Sequence, residues 1–229
     1  MTFFKNRRHA GQLLAQRLAA LQILKDQAGV SILGLPRGGV PVAYEVAKKL
    51  GMPLDIFTVR KLGAPGHEEC AMGAIASGNI RVLNQDVIDS LKITEADIAA
   101  VVAREARELA RREAAYRAGK PKLNAHNRFV ILVDDGLATG ATMRAAIRAL
   151  RQEGPSGIMV AVPVAPASTC MELRAEADVV ICLHTPESFY GVANWYDDFT
   201  QTSDDEVREL LQFASPKSIE SHPLSLAEL

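Results

Sequence analysis

Two adjacent aspartates, Asp134 and Asp135, follow the apolar run VILV (130–133) and precede Gly136, Leu137, Ala138, Thr139 and Gly140, after which ATMRAAIRALRQEG opens a helix. Like charges on neighbouring residues stabilise nothing by themselves. They become useful when something arrives to share them. The glycines let backbone N–H groups converge, the helix from Ala141 presents its positive end, and Thr139 and Thr142 add hydroxyl donors, so the stretch suits a phosphate. Ionised carboxylates only accept hydrogen bonds, which suits hydroxyls. Hydroxyls beside a phosphate describe a sugar phosphate. A capped helix start would need one aspartate rather than two. The P-loop pattern GxxxxGKS/T and the dinucleotide pattern GxGxxG are both absent.

These residues need a scaffold that brings strand ends and helix starts together. Residues 5–26 have leucines at helical spacing. GVSILGL (29–35) reads as a buried strand, 40–51 as a helix closed by Gly51, and LDIFTVR (54–60) as a second strand. KLGAPGHEEC reads as a loop, and 71–84 as two strands joined at Ser77-Gly78-Asn79. Thr94 caps a long charged helix that stops at Gly119-Lys120-Pro121, about 35 Å long at roughly 1.5 Å per residue. Strands at 128–135, 157–164 and 178–184 alternate with helices at 140–153 and 167–175. Ser203 and Glu206 form a capping box for a last helix at 204–213, and the tail from Ser215 reads as loosely ordered. Alternation of this kind predicts an α/β fold with a central parallel sheet, ligand loops lying at the carboxyl ends of its strands. Three loops fall there: PRGG after the first strand, RKLGAPGHEE after the second, and DDGLATG after the central one.

Composition limits the partners. The chain has 229 residues, 48% of them hydrophobic, and 26 basic against 27 acidic side chains. That balance argues against bulk attraction to nucleic acid or to a membrane surface. Cys70, Cys170 and Cys182 follow no CxxC pattern, which predicts reduced thiols and a cytoplasmic protein. The start of the sequence has no apolar signal region, and no run of about 18 apolar residues predicts a membrane span.

VILVDDGLATGATM resembles the diphosphosugar-binding signature of the type I phosphoribosyltransferases, in its adenine-type version, and the similarity extends over roughly residues 29–185. The resemblance implies the fold of that family: a central parallel sheet flanked by helices, a small hood and, here, a long inserted helix. It divides the chain into an N-terminal helix and possible hood (1–28), a core with a helical insertion at 86–118 (29–185), and a C-terminal segment with hood and tail (186–229). It implies that Asp134 and Asp135 hold the ribose hydroxyls of 5-phosphoribosyl 1-diphosphate (PRPP). Gly136, Leu137, Ala138, Thr139 and Gly140, with Thr142 assisting, would hold its 5′-phosphate. LPRGG is similar to the family's pyrophosphate loop, giving Arg37, Gly38 and Gly39 to the diphosphate and placing a cis peptide at Arg37–Gly38. Arg60 and Lys61 resemble the Arg-Lys pair that meets the departing diphosphate. Mg²⁺ would be the cofactor, bound through diphosphate and ribose oxygens without a dedicated set of protein ligands.

The implied reaction transfers the 5-phosphoribosyl group from PRPP to an unidentified nitrogenous acceptor, catalysed by Arg60, Lys61, Asp134 and Asp135. The 6-oxopurine members carry an acid where this chain has Ala138, which weakens that assignment without establishing another. Phe189, Tyr190 and Trp195, with Tyr196, are candidates to stack on a planar acceptor, and Asn194 and Asp197 to read its edge; core packing is the competing account of the rings. His67, Glu68 and Glu69 lie where the family has a mobile cover, here short. The narrow apolar stripe of the long helix (Ile98, Val101, Val102, Leu109, Tyr116) points to a homodimer, packing on the chain's own core being the competing account. The alternative activity is a regulator that binds PRPP or a nucleotide without catalysing transfer.

Overall fold

In the computed structural model, residues 3–214 are described apart from 28, 79, 118 and 120. The tail from Ser215 and parts of the turns at Asn79 and Lys120 therefore lie outside the described residues. Five strands form a parallel sheet in the order β2 (Leu54–Ile56), β1 (Val30–Gly34), β6 (Phe129–Val133), β7 (Gly157–Val164) and β8 (Val179–His184). The three central strands are buried along their whole length, as expected where helices cover both faces of a parallel sheet. Side-chain direction alternates along each strand. Val130, Leu132, Ile158 and Val160 enter one core with α6 (Ala141–Arg151) and α7 (Ala167–Leu173). Phe129, Ile131, Met159 and Ala161 enter the other with α1 (Arg7–Ala19) and α3 (Gly39–Leu50).

Three sequence expectations are corrected. The N-terminal helix is two: α1 ends at Ala19 and α2 (Gln22–Lys25) begins after Leu21, whose backbone is extended. The strand expected at 54–60 is divided. Phe57 N–H donates to Gly34 O, the last contact with the parallel sheet, and Ser77 N–H donates to Thr58 O, the first contact with another. From there β3 (Val59–Ala64), β4 (His67–Ala76) and β5 (Ile80–Leu83) form an antiparallel sheet. The stretch read as the loop KLGAPGHEEC is thus a hairpin, turning at Pro65-Gly66, with Gly66 in the left-handed region (φ 73°). The sequence missed it because Pro and Gly marked the turn correctly while the short strand before it lacks alternation. The hairpin expected at Ser77-Gly78 is present as β4–β5.

The long helix is α5 (Glu95–Arg117), following the short α4 (Gln85–Ser90). Thr94 and Asp97 cap its start reciprocally, each side chain accepting the other's backbone N–H at 3.2 Å. Its other end is anchored by Arg117, whose guanidinium meets Asp55 at 2.6 Å. Ile98, Val101 and Leu109 pack on Leu62, Met72 and Ile75 of the antiparallel sheet, and Tyr116 packs on Ile56 and on α8 (Asp204–Phe213). The apolar stripe that pointed to a homodimer is buried within the chain itself, so it gives no reason to expect one. Ser203 Oγ accepts Glu206 N–H at the start of α8, as the capping box requires. Among the described residues no helix is long and apolar enough to cross a membrane.

Candidate functional site

Asp134 and Asp135 leave β6 at the carboxyl edge of the parallel sheet, where α3 and α6 both begin. Asp134 Oδ1 accepts the Asp135 backbone N–H at 2.9 Å, which fixes the first carboxylate against its own loop. Burial, reinforced by the charge of Asp135, pushes the Asp134 carboxyl well above its ordinary value. Burial also raises Asp135, and Arg7 opposes it. Two carboxylates so placed are poorly solvated and await donors.

The LPRGG loop is pressed against this pair. A β-carbon built on Gly38 would lie 2.0 Å from Asp135 Oδ2, and one on Gly39 would lie 2.6 Å from Val133 O and 2.9 Å from Asp134 Cα. The glycines therefore allow the LPRGG loop and the Asp134–Asp135 loop to touch each other, a closer constraint than approach to a ligand alone. Gly39→Ala meets backbone that cannot yield without shifting β6. It should destabilise the fold by roughly 1–3 kcal/mol in denaturant melts, whereas a Gly39→Ala variant of unchanged stability would mean that the loops are not held together. The cis peptide is Pro36–Arg37, one residue before the expected place. Gly38 already has helical angles (φ −62°, ψ −31°) as the N-cap of α3, so the chain has turned into the helix by Arg37–Gly38. Arg37 reaches Asp204 at the start of α8, at 3.6 Å.

The loop expected to hold a phosphate leads from Asp135 into α6, and one of its N–H groups is already engaged. Leu137 N–H donates to Val164 O at 2.9 Å and its side chain enters the core, so Leu137 is committed to holding the loop rather than to an anion. Thr169 Oγ1 donates to Ala138 O, and Arg144 Nη2 to Thr139 O, both at 2.8 Å. Gly140 caps α6 in the left-handed region (φ 69°), and a β-carbon there would meet Thr169 Cγ2 at 2.8 Å. α3 and α6 both start at a glycine that supplies no side-chain cap, leaving two positive helix ends beside the aspartates.

Arg60 and Lys61 are not at the end of a parallel strand. They lie on β3, opposite Ile75 and Ala74, and the hairpin brings them round to α6. With Thr142 they line a cavity of about 380 Å³, to which Arg104 and Glu105 of α5 also contribute. Thr142 is thereby placed between the phosphate loop and the Arg-Lys pair. Glu68 lines the same cavity, on β4.

The C-terminal segment returns to the site. Val192 stands over Gly136, 2.5 Å from where a β-carbon would be, and Tyr196 Oη donates to Asp135 O. Phe189 and Trp195 pack in a cluster with Phe4, Val164 and Tyr196, while Tyr190 is 88% exposed. Of the three proposed stacking residues, two thus join an aromatic cluster beside the aspartates and Tyr190 faces solvent away from it. Trp195 keeps a buried Nε1–H without a partner.

Arg7 was not foreseen. Its Nε donates to Asp135 Oδ2 at 2.7 Å, its Nη1 donates to Thr200 O at 2.6 Å, and its guanidinium lies 3.9 Å from the centre of the Phe199 ring. One arginine of α1 therefore joins Asp135 to the C-terminal segment. No spacing reveals a contact between residues 128 positions apart. The only local signal was Asn6, which caps α1 by accepting His9 N–H and so fixes where Arg7 begins the helix.

Comparison with known proteins agrees with this geometry. A model of the phosphoribosyl transferase domain matches residues 8–199. Two Mycobacterium tuberculosis proteins, each named "Putative phosphoribosyl transferase" (MT0597 and Rv0571c), are 45% identical over 214 residues, 93% of this chain. The match covers 47% of their length, so the chain spans about half of these curated relatives. The crystal structure of TT1426 from Thermus thermophilus superposes with a TM-score of 0.81 at 42% identity, covering 92% of this chain and 98% of that one.

Proposed function

Given that the chain belongs to the phosphoribosyl transferase family, we propose that it transfers the 5-phosphoribosyl group from PRPP to a nitrogenous acceptor and releases diphosphate. The observation that carries this is the contact of the two loops. The Asp134–Asp135 pair abuts Gly38 and Gly39 where α3 and α6 start, so the positive ends of two helices and two carboxylates lie within one sugar phosphate's reach.

The roles follow from charge. Asp134 and Asp135 accept the ribose hydroxyls, and those donors relieve the repulsion of the half-buried pair. Gly136, Ala138, Thr139 and Gly140 hold the 5′-phosphate. Arg37, Gly38 and Gly39 hold the diphosphate. Breaking the bond from C1 to the diphosphate builds oxocarbenium character on the sugar and negative charge on the leaving oxygens, and Arg60 and Lys61 stabilise the latter. Mg²⁺ would be carried by the substrate, because it binds phosphate oxygens readily while keeping waters. When bound it would neutralise part of the diphosphate charge. Three free thiols support a reducing, cytoplasmic setting.

The experiment is incubation with PRPP, Mg²⁺ and a panel of heterocyclic bases and amines, with diphosphate as readout. Diphosphate released only in the presence of one class of acceptor identifies the reaction; tight PRPP binding with no acceptor-dependent release would make the protein a PRPP-binding regulator instead. Val192 beside Gly136 and Tyr196 on Asp135 O support a reading in which the acceptor lies against residues 185–202. A structure with a bound nucleotide is expected to show the base within van der Waals distance of that segment. A base touching only residues before 30 would remove the segment from the pocket.

A further inference from the structure

We infer that the inserted helix α5 completes the diphosphate site of this proposed transferase: Arg104 is a third cation beside Arg60 and Lys61 in the cavity that meets the leaving group, and Glu105 is a positioning residue that sets Arg60 and Arg104 side by side. The inference rests on the transferase reading above. It begins from an oddity in the helix. Val101, Glu105 and Leu109 recur at one-turn spacing and all three are buried, Glu105 at 8% exposure. A carboxylate thus occupies the middle of the stripe by which α5 packs on β3 and β4, where an apolar side chain would pack at less cost.

Its bonds explain its place. Glu105 Oε2 accepts Arg60 Nε at 2.9 Å and Arg60 Nη2 as well, and Oε1 accepts Arg104 Nε at 3.0 Å. One carboxylate therefore clamps two guanidiniums from two elements, each by its inner edge. Arg60 Nη1 and both terminal nitrogens of Arg104 stay outside these bonds. Burial alone would raise the Glu105 carboxyl, yet the two arginines outweigh it and hold it below its ordinary value, so it stays ionised. Both arginines line the cavity of about 380 Å³ that Lys61 and Thr142 share. Thr142 lies in the first turn of α6, two residues beyond Gly140, so the cavity reaches the phosphate loop. A clamp that only fastened the helix would not need two arginines at the mouth of a cavity. Pre-orienting cations where charge develops is the arrangement that stabilises a leaving anion.

Electrostatics gives the test its sign. Glu105 is negative and close to the anion site, so if it contributed only charge, removing that charge would tighten diphosphate binding. A positioning role predicts the reverse. Binding of magnesium diphosphate and of ribose 5-phosphate would be measured by calorimetry on the full chain. Glu105→Gln, which loses the clamp, and Glu105→Asp, which keeps the charge but shortens the reach, should each weaken magnesium diphosphate about tenfold. Arg104→Ala should weaken it severalfold and reduce its dependence on salt. None of the three should change ribose 5-phosphate affinity, because the aspartates and the phosphate loop are untouched. Magnesium diphosphate bound by Glu105→Gln as tightly as by wild type, or more tightly, overturns the inference, as does a parallel loss of ribose 5-phosphate, which would mark a structural role. Should Glu105→Gln fail to fold, Arg104→Ala still decides: its side chain is 62% exposed, and unchanged diphosphate binding in that variant overturns the third-cation role. Wild-type protein that binds ribose 5-phosphate but not magnesium diphosphate overturns this inference alone; wild-type protein that binds neither overturns the transferase reading with it.

Discussion

Replacing both Asp134 and Asp135 with asparagine is expected to abolish PRPP binding while leaving the melting temperature at neutral pH equal to wild type or higher. The two halves of this expectation have one cause. The pair is half-buried at the end of β6; burial raises both carboxyls, and the charge of Asp135 adds to the rise at Asp134. A carboxyl raised in the native state binds protons that the unfolded chain has already lost, so its contribution to stability is largest below the unfolded value of 3.8 and is lost as pH rises through the native value. At neutral pH the pair therefore works against the fold, and asparagine removes that opposition. The first of the two new amides retains an oxygen for the backbone N–H of the next residue, so the loop keeps its bond. Any thermal gain should shrink as pH falls through the native value and vanish well below 3.8, where the wild-type carboxyls are protonated in both states. The double variant does leave Arg7 without its carboxylate partner, which offsets part of the gain. Binding is lost because neutral amides supply donors where the ribose hydroxyls need acceptors. Calorimetry with PRPP and Mg²⁺ checks the first half and thermal melts at several pH values the second. Unchanged PRPP affinity would remove the pair from the sugar site altogether.

Replacing Lys61 with alanine is expected to lower turnover far more than substrate affinity, by roughly 3 kcal/mol in barrier, about a hundredfold in rate. Lys61 is exposed on β3, so its loss should cost the fold little. It lines the same cavity as Arg60, Arg104 and Thr142. A cation there meets the diphosphate most strongly when the bond to C1 is breaking and the charge is largest, so its energy belongs to the transition state. With an acceptor identified, kcat should fall while KM for PRPP moves by less than a few fold. A variant with unaltered kcat would return Lys61 to an ordinary exposed strand position, and one with raised KM alone would make it a ground-state contact.

The local pattern of the sequence carried the core of the fold and the centre of the site. Continuous apolar runs fixed β1, β6 and β7, because a parallel sheet covered on both faces demands them. The Asp134–Gly140 stretch declared itself because adjacent acids and small residues are unfavourable unless a ligand shares them. Gly38 and Gly39 were legible as points of close approach, although the sequence could not say that Asp134 and Asp135 were what they approach. Tertiary structure decided the rest. Periodicity could not divide 54–64 between two sheets, since Phe57 and Thr58 change partners through backbone bonds that leave no trace in side-chain type. Nor could it tell whether the stripe of α5 faced a second copy or its own chain, because an apolar stripe records only that it is covered. Arg7 on Asp135, Tyr196 beneath the same residue, and Glu105 between Arg60 and Arg104 join positions 128, 61 and 45 apart. Such charged contacts follow no spacing rule. They arise only when α1, the segment around Tyr196 and α5 fold back over the sheets and remove these groups from water, where an unpaired polar group is costly to leave.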